Sequence, residues 1–141
     1  SFSLGKRAAL RRIKYRPTPE RVSADFPFLL TTGRTLYHFN AGTMTMRTPN
    51  IELLPTDEIM ICSADADRLG LANGERVRMV SAHGNATLPV KITEKVRHGK
   101  LFATFHDPTV FLNYATSPVR DRFTLAPEFK VTAVRLEKLG E

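Results

Sequence analysis

Short β-prone runs separated by turn residues dominate the chain from Phe26 onward, and this punctuation argues for an all-β barrel or sandwich with a few helical turns. Phe26 to Thr31 is the first strand candidate. Arg76 to Ser81 alternates, with Val77 and Met79 on one face and Arg76 and Arg78 on the other. Leu88, Val90 and Ile92 likewise oppose Thr87, Lys91 and Thr93, so both runs read as half-buried strands. Leu101 to Phe105 and Phe129 to Leu136 extend the series. Asn73-Gly74, His83-Gly84-Asn85 and His98-Gly99 supply the turns. Pro89 has no N–H to give to a ladder and is expected at an edge or a bulge.

One helix of about two turns is signalled between these runs. Ser63 is its expected cap, Asp65 and Asp67 suit the positive end of its dipole, and Gly70 suits the left-handed closing position. Asp57, Glu58, Asp65 and Asp67 are read as turn, capping and solvated helix residues. The segment from Pro108 to Glu128 shows neither strand nor helix period and is expected to be a long connection carrying function or contacting another domain.

A chain of 141 residues is long enough to bury a core without a disulfide or metal staple. The single Cys62 excludes an internal disulfide and any four-cysteine iron–sulfur or zinc site made by this chain alone, and its place in Ile59-Met60-Ile61-Cys62 reads as core. No apolar run approaches the ~18 residues needed to cross a bilayer, so no membrane partner is expected. The net charge of +7 is concentrated in residues 1–24, where seven bases face only Glu20, and the remaining body is close to balanced. These bases are not interleaved with stacking aromatics beyond Tyr15. They are therefore read as a lead-in or interdomain segment, poorly ordered in isolation, and no nucleic-acid partner is expected. The barrel domain is placed at residues 25–141.

Two loops share a phosphate-binding logic. Thr32-Gly33-Arg34 follows the first strand, and Gly42-Thr43-Met44-Thr45 follows a short aromatic stretch. Glycines admit a ligand to the backbone, backbone N–H groups and threonine hydroxyls donate to phosphate oxygens, and Arg34 offers a bidentate fork. Walker, Rossmann, nucleophile-elbow and paired-histidine zinc patterns are missing, so neither self-contained hydrolysis nor a histidine metal site is supported. His83 and His98 fall in turns and are expected to be solvated; His38 and His106 lie beside the candidate loops.

Taken in order, Thr32-Gly33-Arg34, Leu36-Tyr37-His38-Phe39-Asn40, Gly42-Thr43-Met44-Thr45, Ala64 to Val80, Phe105-His106-Asp107-Pro108, Leu112-Asn113 and Pro127-Glu128-Phe129-Lys130 carry a family likeness. The chain resembles the C-terminal molybdopterin-dinucleotide-binding domain of the dimethyl-sulfoxide-reductase superfamily of molybdenum and tungsten oxidoreductases. Within it, the chain resembles the large subunit of cytoplasmic, NAD-linked formate dehydrogenases. Periplasmic nitrate reductases are the nearest competitor. Asn40 stands where many relatives carry a second histidine, and Met46-Arg47 where they carry two arginines.

The resemblance implies a mainly β fold, a double-psi β-barrel with short helices, closing over bis(molybdopterin guanine dinucleotide) with molybdenum or tungsten. Thr32, Gly33 and Arg34 would touch one dinucleotide, and His38 with Gly42, Thr43, Met44 and Thr45 would line the pterin side. Asn113 and Lys130 match a cofactor-binding asparagine and lysine, and Phe105 and His106 would face the cofactor or substrate channel. No catalytic residue and no metal ligand is assigned to this chain. The metal ligand, iron–sulfur clusters and NAD site would lie elsewhere, in upstream catalytic domains and electron-transfer subunits of a cytoplasmic complex oxidising formate to carbon dioxide. Outside that resemblance, the open alternatives are a non-catalytic binding module using the basic front segment and a separately encoded assembly subunit.

Overall fold

The alternation in Arg76–Ser81 and Asn85–Ile92 is realised as an antiparallel hairpin that pairs Val77 with Leu88 and Met79 with Ala86. All four side chains point into one core, large against small. A computed structural model describes Leu10 and residues 12–139. Six strands close into a barrel: β1 (Phe28–Gly33), β2 (Ile59–Ile61), β3 (Arg76–Ser81), β4 (Asn85–Ile92), β5 (Lys100–Thr104) and β6 (Thr132–Lys138). Their order around the barrel is β1-β5-β2-β4-β3-β6. Helices are short: α1 (Asn50–Leu53), α2 (Ser63–Leu69), and 3-10 turns at Thr45–Arg47 and Leu112–Ala115. This is the mainly β, double-psi type of barrel expected.

β1 runs parallel to β5, and β2 runs parallel to β4; the other four contacts are antiparallel. Parallel neighbours cannot be joined by a hairpin, so the chain must travel over the barrel ends between them. Because β1 and β5 point the same way, residues 34–58 and 105–131 leave side by side from one end. α2 and the turn before β5 lie at the other end, where Leu29 donates to the Gly99 carbonyl at 3.0 Å. Phe28, Leu30, Ile59, Ile61, Val77, Met79, Leu88, Leu101 and Val134 fill the interior, each no more than 1% exposed.

Several local expectations shift. β1 and β6 begin later than the apolar runs that signal them, because pairing, not composition, sets their ends: Leu29 to Gly33 pair with Lys100 to Thr104. Cys62, not Ser63, is the residue before α2, and it makes no side-chain cap bond. Gly70 does take the left-handed position, at φ 63°.

Pro89 lies in β4 between two strands of a closed barrel, not at an edge. Val90 donates toward the β3 side, to the Glu75 carbonyl at 2.8 Å, so alternation turns the Pro89 nitrogen toward β2. Pairing with β2 begins only at Ile59↔Val90, and no donor is missed there. Asp57 and Asp65, expected among the solvated and capping residues, are both fully buried.

Residues 1–9 and 11, part of the basic lead-in segment, lie outside the described residues. Further along that segment, Thr18 donates to Glu128 at 2.7 Å. Glu20 accepts from the Ala133 N–H at 3.0 Å and meets His83 Nε2 at 2.8 Å.

Leu30 stands at 0% exposure on β1, between its parallel and antiparallel neighbours. Leu30→Ala is expected to lower unfolding stability by about 2–5 kcal/mol through lost burial and an unfilled cavity. Urea denaturation of the chain checks it, and an unchanged midpoint would contradict the placement of β1.

Candidate functional site

The two connections that leave β1 and β5 are bound together by a buried polar cluster. The His38 and His106 rings stack with centroids 4.3 Å apart and planes 7° from parallel. Both Nε2 atoms face one carbonyl, that of Leu54, at 2.9 Å and 3.2 Å. A carbonyl only accepts, so both rings carry hydrogen on Nε2, which leaves His38 Nδ1 to accept from the Thr45 hydroxyl at 3.0 Å. Asp57 accepts from the backbone N–H groups of His106 and Asp107 at 2.8 Å and 3.1 Å. Its Oδ1 also lies 2.7 Å from His106 Nδ1, but out of line for a hydrogen bond, so its directed bonds go to the backbone.

Gly42 fits this cluster for a steric reason. Its φ is +68°, and a Cβ there would sit 2.6 Å from the His106 carbonyl oxygen and 2.7 Å from Met46 Cγ. The loop from Gly42 to Thr45 is thereby pressed against the β5 exit, while Thr43 and Met44 remain exposed. Non-glycine residues in the left-handed region occur at Asn40, Phe111 and Leu125, all within the two long connections. Such conformations cost about 1–3 kcal/mol and gather at functional sites.

A second group forms where the chain re-enters the barrel before β6. Thr31 and Thr32 hydroxyls donate to the carbonyls of Lys130 and Phe129 at 3.0 Å and 2.7 Å, and Lys130 Nζ donates to the Thr32 carbonyl. Thr32, Gly33 and Lys130 are thus brought together. The space above Gly33 is taken by the Phe102 ring. Arg34 is exposed, its guanidinium 5.7 Å from the Phe39 ring centroid. Asn113 lines an open cleft with His83, Thr116, Ser117, Arg120 and Phe129. Among the described residues no hydrogen bond or ion pair joins Arg34 to Asn113 or Lys130. Phe105 is partly buried and packs against the core, and His106 is 1% exposed, so its ring nitrogens face protein.

Residues 28–133 match the family described as "Molydopterin dinucleotide binding domain". The chain belongs to this family. It is 37% identical over 128 residues to "F420-dependent formate dehydrogenase subunit alpha" of Methanocaldococcus jannaschii, and 31% identical to "F420-dependent formate dehydrogenase 1 subunit alpha" of Methanococcus maripaludis. Each match covers 90% of this chain and 19% of the relative, so the chain spans about a fifth of those proteins. Among solved structures, acetylene hydratase from Pelobacter acetylenicus superposes with a TM-score of 0.69 at 16% identity, covering 81% of this chain and 18% of that one. At that identity the likeness establishes the fold alone.

In this dinucleotide-binding domain, sequence reasoning found the two stacked histidines but not what holds them. Asp57 and the Leu54 carbonyl carry no motif; only burial reveals them. Asp107 was visible within Phe105-His106-Asp107-Pro108, though not its balance of forces. Burial pushes its carboxyl up, but hydrogen bonds from the Thr56 hydroxyl and from the Thr109 hydroxyl and N–H, with help from His106, outweigh this and leave it below the usual range.

Two outcomes follow for the domain. Gly42→Ala should destabilise by about 1 kcal/mol or more from the left-handed backbone alone, with the clash added, and should speed amide exchange across residues 38–47. Unaltered exchange there would rule out the tight approach. A depressed folded pKa means that Asp107 contributes its full stabilisation above the ordinary aspartate value of about 3.9, and loses it as pH falls through the lower folded value. Asp107→Asn should therefore flatten the acid limb of the stability profile. Denaturation midpoints measured from neutral pH downward check it, and an equally steep limb would refute it.

Proposed function

We propose that this domain closes over bis(molybdopterin guanine dinucleotide) in the large subunit of a molybdenum- or tungsten-dependent formate dehydrogenase. The observation that carries this reading, beyond the family itself, is the donor set beside the β1 exit. Arg34 and Lys130 are exposed cations for which, among the described residues, no carboxylate partner occurs. Thr43 is open to solvent on a loop whose backbone is fixed by Gly42 against His106. Cations without a carboxylate partner, together with oriented donors, fit an anionic, phosphate-bearing group.

In this reading Thr32, Gly33 and Arg34 meet one dinucleotide, and Asn113 and Lys130 meet further polar atoms of it. His38 and the Gly42–Thr45 loop, including Met44, line the pterin side, with Phe105 and His106 behind them toward the channel. When bound, the cofactor supplies the two-electron oxidation of formate to carbon dioxide. This chain supplies binding and orientation: the Leu54 carbonyl and Asp57 hold the histidine stack, and through it the loop, in one arrangement.

Residues 1–24 act as an interdomain segment and residues 25–141 as the cofactor-binding barrel. The catalytic and iron–sulfur domains, the electron-transfer subunits and any NAD site lie elsewhere in a cytoplasmic complex. Exposed apolar residues in the two long connections, among them Leu36, Met44, Phe111, Tyr114 and Phe123, support a covering partner on that side.

In the full-length enzyme, Arg34→Ala and Lys130→Ala should each reduce cofactor affinity by about tenfold or more, the loss of one charge-assisted bond of about 1.5–3 kcal/mol. Metal content, guanine nucleotide released on denaturation and formate oxidation should fall together while circular dichroism is unchanged. Full occupancy in both variants would overturn the residue assignment.

A further inference from the structure

At the barrel end remote from the cofactor loops, three side chains with metal-ligand chemistry come from separate elements. Cys62 closes β2, Asp65 lies in the first turn of α2, and His98 stands in the turn before β5. Their arrangement follows from topology: β2 runs antiparallel to β5, so the end of one meets the start of the other. Cys62 Sγ is 3.3 Å from Asp65 Oδ2, and His98 Nδ1 is 2.9 Å from Asp65 Oδ1. The sulfur, carboxylate oxygen and imidazole nitrogen all lie within 4.8 Å of one another.

We propose that Cys62, Asp65 and His98 form a binding site for a borderline-soft divalent transition metal, zinc by ligand chemistry, independent of the molybdopterin cofactor. A tetrahedral zinc ion bonds sulfur at about 2.3 Å, nitrogen at about 2.0–2.1 Å and carboxylate oxygen at about 2.0–2.2 Å, so its ligand atoms stand about 3.3–3.7 Å apart. Against those spacings the Asp65–His98 edge needs to open by a few tenths of an ångström, and the group as a whole, spread over up to 4.8 Å, needs to contract by up to about an ångström, a movement open to the exposed His98 side chain. Sulfur with imidazole selects zinc over magnesium or calcium, which take oxygen donors.

Binding balances locally. The Cys62 thiol, which donates its hydrogen to Asp65, loses that proton to solvent, the His98 ring binds as the neutral tautomer with its hydrogen on Nε2 and Nδ1 free, and the metal takes the place of the hydrogens that faced Asp65. The two ligand charges then neutralise the ion. Arg68, 2.9 Å from Asp65 Oδ1, and the Gly99 N–H, 2.7 Å from Oδ2, hydrogen-bond the carboxylate and remain as outer partners that orient it. His98 is 73% exposed, so the fourth position faces water. The consequence is mechanical: one ion would tie the β2–α2 junction to the β4–β5 turn, whose Gly99 carbonyl holds the start of β1.

The test uses the metal alone. Cobalt(II) added to the reduced chain, free of molybdenum cofactor, should give a thiolate-to-cobalt charge-transfer band that saturates near one equivalent, releases protons and is displaced by zinc. His98→Ala, a change at an exposed side chain, should weaken binding by about tenfold or more, and Cys62→Ser should abolish the band. Circular dichroism of both metal-free variants establishes that they remain folded. Absence of the band in the folded wild-type chain, or an undiminished affinity in His98→Ala, would overturn the site. Neither result bears on cofactor binding at the other end of the barrel.

Discussion

β1 is paired on both sides, in a parallel ladder to β5 and an antiparallel one to β6, and the closed barrel depends on that double attachment. Closure removes the sheet edges and encloses a continuous apolar interior. The parallel half of the attachment has the larger consequence. It sends two long, irregular segments out of the same end, next to each other, and irregular backbone needs partners for its own polar groups wherever it is covered. The loops proposed to meet the cofactor lie in those segments, so the placement of the candidate site is a property of strand direction before it is a property of any side chain.

The partners those segments require are supplied economically. One carbonyl, at Leu54, accepts from two imidazoles, and one carboxylate, at Asp57, accepts from two successive N–H groups. Both acceptors sit in the first connection and both sets of donors involve the second. Buried polar groups satisfied in this way specify one arrangement, because sliding either segment by a residue would leave a carbonyl, a carboxylate or an N–H unpaired. The left-handed backbone at Asn40 and Phe111 is tolerated within that arrangement.

What was legible in the sequence were the features that local physics writes down. Half-buried β3 and β4 alternate and were readable residue by residue, and Gly70 marked the end of α2. β2, with three residues, is too short to alternate visibly and passed as an apolar run around Cys62. Asp57 and Asp65 read as turn, capping or solvated helix residues because a carboxylate's burial depends on which distant backbone donors meet it, here His106, Asp107 and Gly99. Glu20 was submerged in a basic stretch whose net charge hid its one anchoring acid. Function was carried by the order of motifs from Thr32 to Lys130, as family likeness; no spacing of donors along the chain would have produced it unaided.

The Glu20 carboxylate receives the Ala133 N–H at a point where β6 has run past its partner, since pairing with β3 ends at Val134↔Ser81. It therefore serves β6 as a substitute strand, one residue long, supplied from a segment that composition assigns to the linker. Burial pushes this carboxyl up, yet the Ala133 N–H, His83 and Ser117 hold it below the usual range. A cut made at the compositional border, between residues 24 and 25, would leave that N–H without its acceptor. Contacts from Thr18 to Glu128 and from Glu20 to Ala133 thus tie a segment set apart by its charge to the barrel by hydrogen bonds.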